Sequence, residues 1–292
     1  MPIALLYHDV VESGMEHTSG FQGPVADRYK LTPEAFAAHL EALASAVGAA
    51  PALLPENGRL DVPEGVFLTF DDGGVTAHSW IAEDLEERGW RGHFFITADR
   101  IGTPGFVDAD QIRDLRSRGH LIGTHSFSHP PRMSACSPDA LLEEWRRSRE
   151  VLSDILAAPV TTGSVPGGFY SHAVAAAAAK AGLRYLFTSE PTRRTHQVSG
   201  CMVLGRYTLY RGASPRTTAA LASGRPAACI AQMATWNAKK LAKAVLGTRF
   251  LTLSRQVFSL RNGARNNGAR GIAAEQGGVP TAGAAQHQGE DR

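Results

Sequence analysis

Short apolar runs alternate with longer mixed stretches along most of this chain. Runs near 3–8, 66–70, 93–97, 120–124, 160–164, 184–188 and 202–208 are rich in β-branched, aromatic and leucine residues, and read as buried strands. Stretches near 33–47, 77–88, 109–118, 138–157, 172–181 and 215–223 read as helices. Several helix starts are marked. Thr32-Pro33 and Ser137-Pro138 set a capping oxygen before a proline at the first helical position, and Asp108 and Ser171 are further cap candidates. Gly89, Gly119 and Gly182 follow helix ends. Regular alternation of strand and helix predicts an α/β fold with a parallel sheet, closed or nearly closed into a (β/α) barrel.

The pattern changes after residue 225. Trp236, Leu241, Val245 and Leu246 alternate with Lys239, Lys240 and Lys243, which predicts a basic amphipathic helix within an extension spanning 226–260. Residues 261–292 are rich in Gly, Ala, Asn and Gln without apolar periodicity, and disorder is expected there. The expected organisation is a main domain over 1–225, the helical extension, and a tail.

Charge sharpens this division. The net charge is +2, yet no Asp or Glu occurs between residues 191 and 274, a stretch holding fourteen Lys and Arg. Such a split suggests an anionic partner for the C-terminal part, an acidic membrane surface being the specific expectation. A nucleic-acid partner is not expected, because no recognition motif accompanies the charge. The three cysteines have no Cys-x-x-Cys spacing and give no disulfide framework. The N-terminus reads directly as a strand, with no secretory signal, and no apolar run is long enough to span a membrane. A cytoplasmic protein, peripheral to the inner face of the membrane, is the expectation.

Candidate chemistry concentrates in two places. Thr69-Phe70-Asp71-Asp72-Gly73 ends one predicted strand, and His125-Ser126-Phe127-Ser128-His129 follows another. One carboxylate and two imidazoles can hold a divalent metal and leave positions open, as in a catalytic site, and the second carboxylate is then free to act as a base. Polar groups on loops at strand ends are where α/β enzymes place their chemistry.

At these residues the chain resembles the polysaccharide deacetylase family, the NodB-homology enzymes of carbohydrate esterase family 4. The flanking runs Gly92-His93-Phe94-Phe95-Ile96-Thr97 and Arg118-Gly119-His120-Leu121-Ile122-Gly123 are similar too. The resemblance implies a distorted (β/α) barrel of about seven parallel strands. It implies Asp72, His125 and His129 as metal ligands and Asp71 as general base. Zinc is the first choice of metal, with cobalt, nickel or manganese suited to the same donors. The implied reaction removes N-acetyl groups from an acetylated polysaccharide or oligosaccharide, set in the synthesis or modification of a bacterial surface polysaccharide. A non-catalytic glycan-binding or lipid-linked-glycan-binding protein and an O-acetyl esterase are the alternatives.

Two departures stand out. The family's Arg-x-Pro-x-Gly motif is Ser164-Val165-Pro166-Gly167-Gly168 here, so Ser164 replaces the arginine that orients the base. The Pro-Gly-Gly turn survives, leaving Gly167 and Gly168 as oxyanion donors, and Tyr170 beyond it as a residue lining the site. The family's late Leu-x-His motif is missing from the run 201–207. The N-terminal Tyr7-His8-Asp9 looks like the start of the poly-N-acetylglucosamine deacetylase branch, in which an N-terminal histidine is the acid. This makes His8 the proposed acid and Asp9 its orienting partner or a substrate contact. His196 is the reserve acid, and Phe21 and Tyr29 are loop aromatics placed to stack on sugar.

Overall fold

A computed structural model describes residues 1–56 and 60–246, without the side chains of Lys239 and 241–246. Its elements run β1 (Ile3–Tyr7), α1 (Pro33–Val47), β2 (Val66–Phe70), α2 (Ala82–Glu86), β3 (His93–Ile96), α3 (Ala109–Ser117), β4 (Leu121–Thr124), α4 (Pro138–Leu156), β5 (Thr162–Ser164), α5 (His172–Lys180), β6 (Tyr185–Phe187), β7 (Thr195–Val198), β8 (Cys201–Leu204), β9 (Tyr207–Thr208), α6 (Pro215–Ala222) and α7 (Pro226–Leu246). A π-helical turn, Ala77–Ile81, leads into α2, which makes that predicted helix irregular at its start.

The helix ends form for the reasons legible in the sequence. Thr32, Asp108, Ser137 and Ser171 each accept a backbone N–H of the first turn through their side chains. Gly89, Gly119 and Gly182 take positive φ after helices or helical turns.

The strands form one sheet in the order β7-β8-β6-β5-β4-β3-β2-β1-β9. Every pairing is parallel except β7 with β8. The architecture is the expected distorted (β/α) barrel, but with nine strands rather than about seven. Two causes account for the difference. The exposed segment Thr195–Val198 folds back on β8 as an antiparallel hairpin strand. The predicted strand over 202–208 breaks at Gly205-Arg206, so β8 pairs with β6 while β9 pairs with β1. That break therefore joins the two margins of the curled sheet.

Alternation along the strands separates two apolar layers. Val66, Leu68 and Phe70 of β2 pack in the layer that also holds Phe36, Leu40, Leu85 and Ile112 of the helices. Phe67 belongs to a second layer with Ala4, Phe95, Tyr185 and Phe187, inside the curl of the sheet. Thr69 shares the inward register of Phe67, and Asp71 continues it past the strand end.

Residues Met1–Leu241 form one unit; of the second, from Ala242, only the α7 backbone to Leu246 is described. Helix α7 begins at Pro226. The basic face expected from Lys239 and Lys243, the extension beyond 246, and the tail 261–292 lie outside the described residues or side chains. Among the described residues no helix is long and apolar enough to cross a membrane. The three cysteines are free.

Candidate active site

Asp71 and Asp72 leave β2 in different directions because the backbone turns sharply between them. Asp72 has φ 77°, and Ser126 and His129 have φ 64° and 55°. These are three of the five non-glycine residues with positive φ among the described residues. Backbone held in this region concentrates where side-chain direction matters more than local comfort. The glycines after Asp72 answer a crowding problem, since a Cβ on Gly74 would run into the Asp9 carboxylate.

The turn brings Asp72 to the two histidines. Its Oδ1 lies 3.4 Å from His125 Nε2 and 3.6 Å from His129 Nε2. One donor atom from each of the three residues falls within 4.8 Å of the others. His125 Nδ1 lies 3.1 Å from the Ser164 carbonyl and donates to it, which leaves Nε2 as a lone-pair donor facing Asp72. The histidine loop is also held from outside: Glu144 of α4 accepts the N–H groups of Phe127 (3.0 Å) and Ser128 (2.9 Å) and the Ser128 hydroxyl (2.6 Å). One carboxylate and two oriented imidazoles fit a zinc-class ion with positions left for water or substrate.

Electrostatics agree with that use at Asp72 and His129; at His125 the charges of Asp71 and Asp72 outweigh burial and raise the pKa, so an ion would have to displace a proton there. Burial opposes charge on Asp72, but His125, His8 and His129 outweigh it and hold its carboxyl far below the usual range. Burial, together with the charge of His125, lowers His129 to about 4, so it is a neutral donor near neutral pH.

Asp71 has a partner that sequence reasoning missed. Arg206, fully buried, donates from Nη1 to Asp71 Oδ1 and from Nη2 to Oδ2, both at 2.7 Å. Its remaining donors reach Ser164 Oγ (2.7 Å), Thr69 Oγ1 (3.2 Å) and the Thr188 carbonyl (3.0 Å). All five guanidinium N–H groups are thereby used. The rings of Phe95 and Phe187 flank it, each 5.8 Å away. Ser164 completes the arrangement by donating to Asp71 Oδ2 at 3.0 Å. Burial alone would push the Asp71 carboxyl up, but Arg206 and then His125 overcome this and keep it below the usual range. The guanidinium absent at position 164 is thus supplied from the β8–β9 break. A signal was present: a lone Gly-Arg inside an apolar run. Gly205 permits the break, because a Cβ there would lie 2.5 Å from Thr192 Cγ2 and collide with the Glu190 carbonyl.

The other predicted residues fall around this centre. His8 follows β1, packs its ring 4.4 Å from that of Tyr29, and has a buried Nδ1 without a partner. It is near enough to Asp72 to lower the pKa of that carboxyl. Asp9 is buried and points elsewhere: its Oδ1 accepts from Ser19 (2.7 Å) and Thr76 (3.0 Å), tying the 11–30 loop to the turn after Asp72. Gly167 and Gly168 form a tight turn after β5, with φ 59° and 70°. The Tyr170 hydroxyl lies 2.9 Å from His196 Nε2, so the reserve acid is paired with the residue expected to line the site. Phe21 packs 4.6 Å from the His129 ring.

Residues 61–186 match the family model described as polysaccharide deacetylase. A chitin deacetylase of Colletotrichum lindemuthianum is 30% identical over 117 residues, which is 36% of this chain and 45% of that protein. The chain spans less than half the length of the curated relatives it matches. Among solved structures, a polysaccharide deacetylase from Bacillus cereus superposes with a TM-score of 0.62 at 18% identity, over 76% of this chain and 68% of that one. A Streptococcus pyogenes deacetylase in complex with acetate gives 0.58 at 20% identity, over 73% of this chain and 94% of that one. At these identities the structural likeness shows the fold alone. The family match covers Asp71, Asp72, His125, His129 and the Pro-Gly-Gly turn, and through residues 61–186 the chain is similar to the polysaccharide deacetylase family.

Proposed function

We propose that this protein is a metal-dependent hydrolase that removes N-acetyl groups from amino-sugar units of a bacterial surface polysaccharide. One observation carries the reading: a carboxylate kept ionised by a bidentate arginine stands beside an Asp-His-His cluster suited to a metal.

Asp72, His125 and His129 would hold the ion, zinc first, with cobalt, nickel or manganese compatible with the same donors. Bound there, it would polarise an acetyl carbonyl and acidify a water. Asp71 takes the proton of the attacking water. Both its oxygens already accept from Arg206, but a carboxylate has about four lone-pair sites, so acceptor capacity remains. Arg206 and Ser164 fix its orientation. His8 delivers a proton to the departing sugar nitrogen, since an amine leaves poorly as an anion. The N–H groups of Gly167 and Gly168 would stabilise negative charge on the acetyl oxygen.

A non-catalytic binder drew support from the missing arginine at position 164 and from the missing late histidine; Arg206 supplies a guanidinium against the first ground, and His8 is the acid proposed against the second. The deciding experiment is acetate release from N-acetylated glucosamine oligosaccharides by metal-loaded protein, beside Asp71→Asn. Release that disappears in the variant and on chelation supports the reading. No release with zinc, cobalt, nickel or manganese would refute it.

A further inference from the structure

A cavity of about 300 Å³ lies beside the Pro166–Gly168 turn. It is framed by Thr188 and Glu190 after β6, Arg194 and His196 of the β7 hairpin, and Trp236 and Asn237 of α7. All six fall outside the residues matched by the family model.

Three contacts join this cavity to the centre. The Arg206 backbone N–H donates to the Glu190 carbonyl at 2.9 Å and its Nε to that of Thr188 at 3.0 Å, while its fork holds Asp71. The Trp236 ring covers Gly168 so closely that a Cβ there would lie 2.9 Å from its Cη2. The Tyr170–His196 hydrogen bond closes the third side. The cavity therefore lies at the same end of the barrel as Asp71 and Asp72, against the Pro166–Gly168 turn.

Its lining is a half-buried indole face surrounded by a carboxylate, a guanidinium, an imidazole, an amide and a hydroxyl. Thr188, Glu190 and His196 already hold partners in Leu204, Lys240 and Tyr170, but an apolar ligand would offer nothing to the guanidinium and the amide, and a compact anion would not use the indole. A pyranose ring satisfies both, laying its C–H face on the aromatic ring and its hydroxyls against planar polar side chains. The volume is at the small end for ligand sites and suits one sugar unit.

We propose that this cavity binds a sugar unit neighbouring the acetylated one, with Trp236 as its stacking platform, so that the protein selects oligomers over free acetylated amino sugars. This rests on the reading of the centre as a glycan deacetylase, and it adds a site built by α7 and the β7 hairpin.

Calorimetric titration of the full chain, with chelator present to prevent turnover, tests it with N-acetylglucosamine and its β-1,4- and β-1,6-linked tetramers. At least one tetramer should bind about tenfold more tightly than the monomer or better. Trp236→Ala should remove that advantage, and Trp236→Phe should keep most of it. Asn237→Leu, in the exposed wall, carries the same test should Trp236→Ala unfold. Tetramers that bind no better than the monomer, or that bind folded Trp236→Ala as well as wild type, would overturn the proposal. Tetramer binding that depends on Trp236 without acetate release would uphold the cavity while refuting the deacetylase reading.

Discussion

Arg206 grips Asp71 through two parallel hydrogen bonds of 2.7 Å, although the two residues are 135 positions apart. Both are buried, so the pair has little solvent to replace either partner. Removing one side of such a pair costs about 3–5 kcal/mol, largely because the other charge stays buried alone. Arg206→Ala is therefore expected to lose stability on that scale and to lose activity. Arg206→Lys keeps charge but not the fork, and should fold with kcat reduced about tenfold or more. The double variant Ser164→Arg/Arg206→Ser moves the guanidinium to β5, and should recover activity that Arg206→Ser lacks. Acetate-release rates and melting temperatures of the four proteins check this. Activity of Arg206→Lys equal to wild type would show that orientation of Asp71 is not its role.

Metal binding should depend on the loop as well as on its ligands. Asp72→Asn or His125→Ala removes a donor, and stoichiometric zinc uptake measured by calorimetry should be lost. Glu144→Gln touches no donor. It weakens the grip on the Phe127 and Ser128 N–H groups that aims His125 and His129. Loss of such outer support typically lowers metal affinity by about 10–100-fold. Unchanged affinity in Glu144→Gln would mean that the strained backbone at Ser126 and His129 holds the loop alone.

His8 lies outside the Asp72–His125–His129 cluster, so the acid role proposed for it can be tested apart from metal binding. His8→Ala is expected to lower kcat by about 10²–10⁴-fold, the usual range for a lost general acid. Zinc affinity should remain near that of wild type. A leaving group that needs no protonation, such as an acetylated phenol, should be spared much of this loss. Equal loss on amide and aryl ester would argue for a structural His8 instead.

What the sequence made legible follows from where its information is local. Strands such as Val66–Phe70 are buried on both faces, so they read as continuous apolar runs. Asp71-Asp72 and the two histidines stand at strand ends, in motifs short enough to be read locally. The β7 strand was not legible, because Thr-His-Gln-Val has three exposed residues and no apolar alternation. The partner of Arg206 was not legible for a different reason, although the Gly-Arg break itself was. Whether an arginine is buried depends on the carboxylate it meets, and that partner lies across the barrel. Similarly, Asp9 beside His8 suggested a catalytic pair, but Ser19 and Thr76 claim it.

A buried histidine outside the site is expected to add to the acid sensitivity of the fold. His93 donates from Nδ1 to the Leu68 carbonyl (3.1 Å) and accepts the Leu54 N–H at Nε2 (3.1 Å). A second proton would set two N–H groups against each other among the rings of Phe67, Phe95 and Phe187. Burial accordingly drops its pKa from 6.5 to about 4. Above pH 6.5 the folded and unfolded forms are both neutral, and His93 adds no pH dependence. Between 6.5 and about 4 the unfolded chain takes up a proton that the fold refuses, so stability falls as pH falls. The full effect is about 3 kcal/mol at 1.4 kcal/mol per pKa unit. His120, also lowered by burial, acts in the same direction. Melting temperature measured from pH 7.5 to 4.5 should decline in wild type. His93→Gln should start lower, having lost fitted hydrogen bonds, and decline less steeply. Parallel slopes for the two proteins would place the acid sensitivity in other groups.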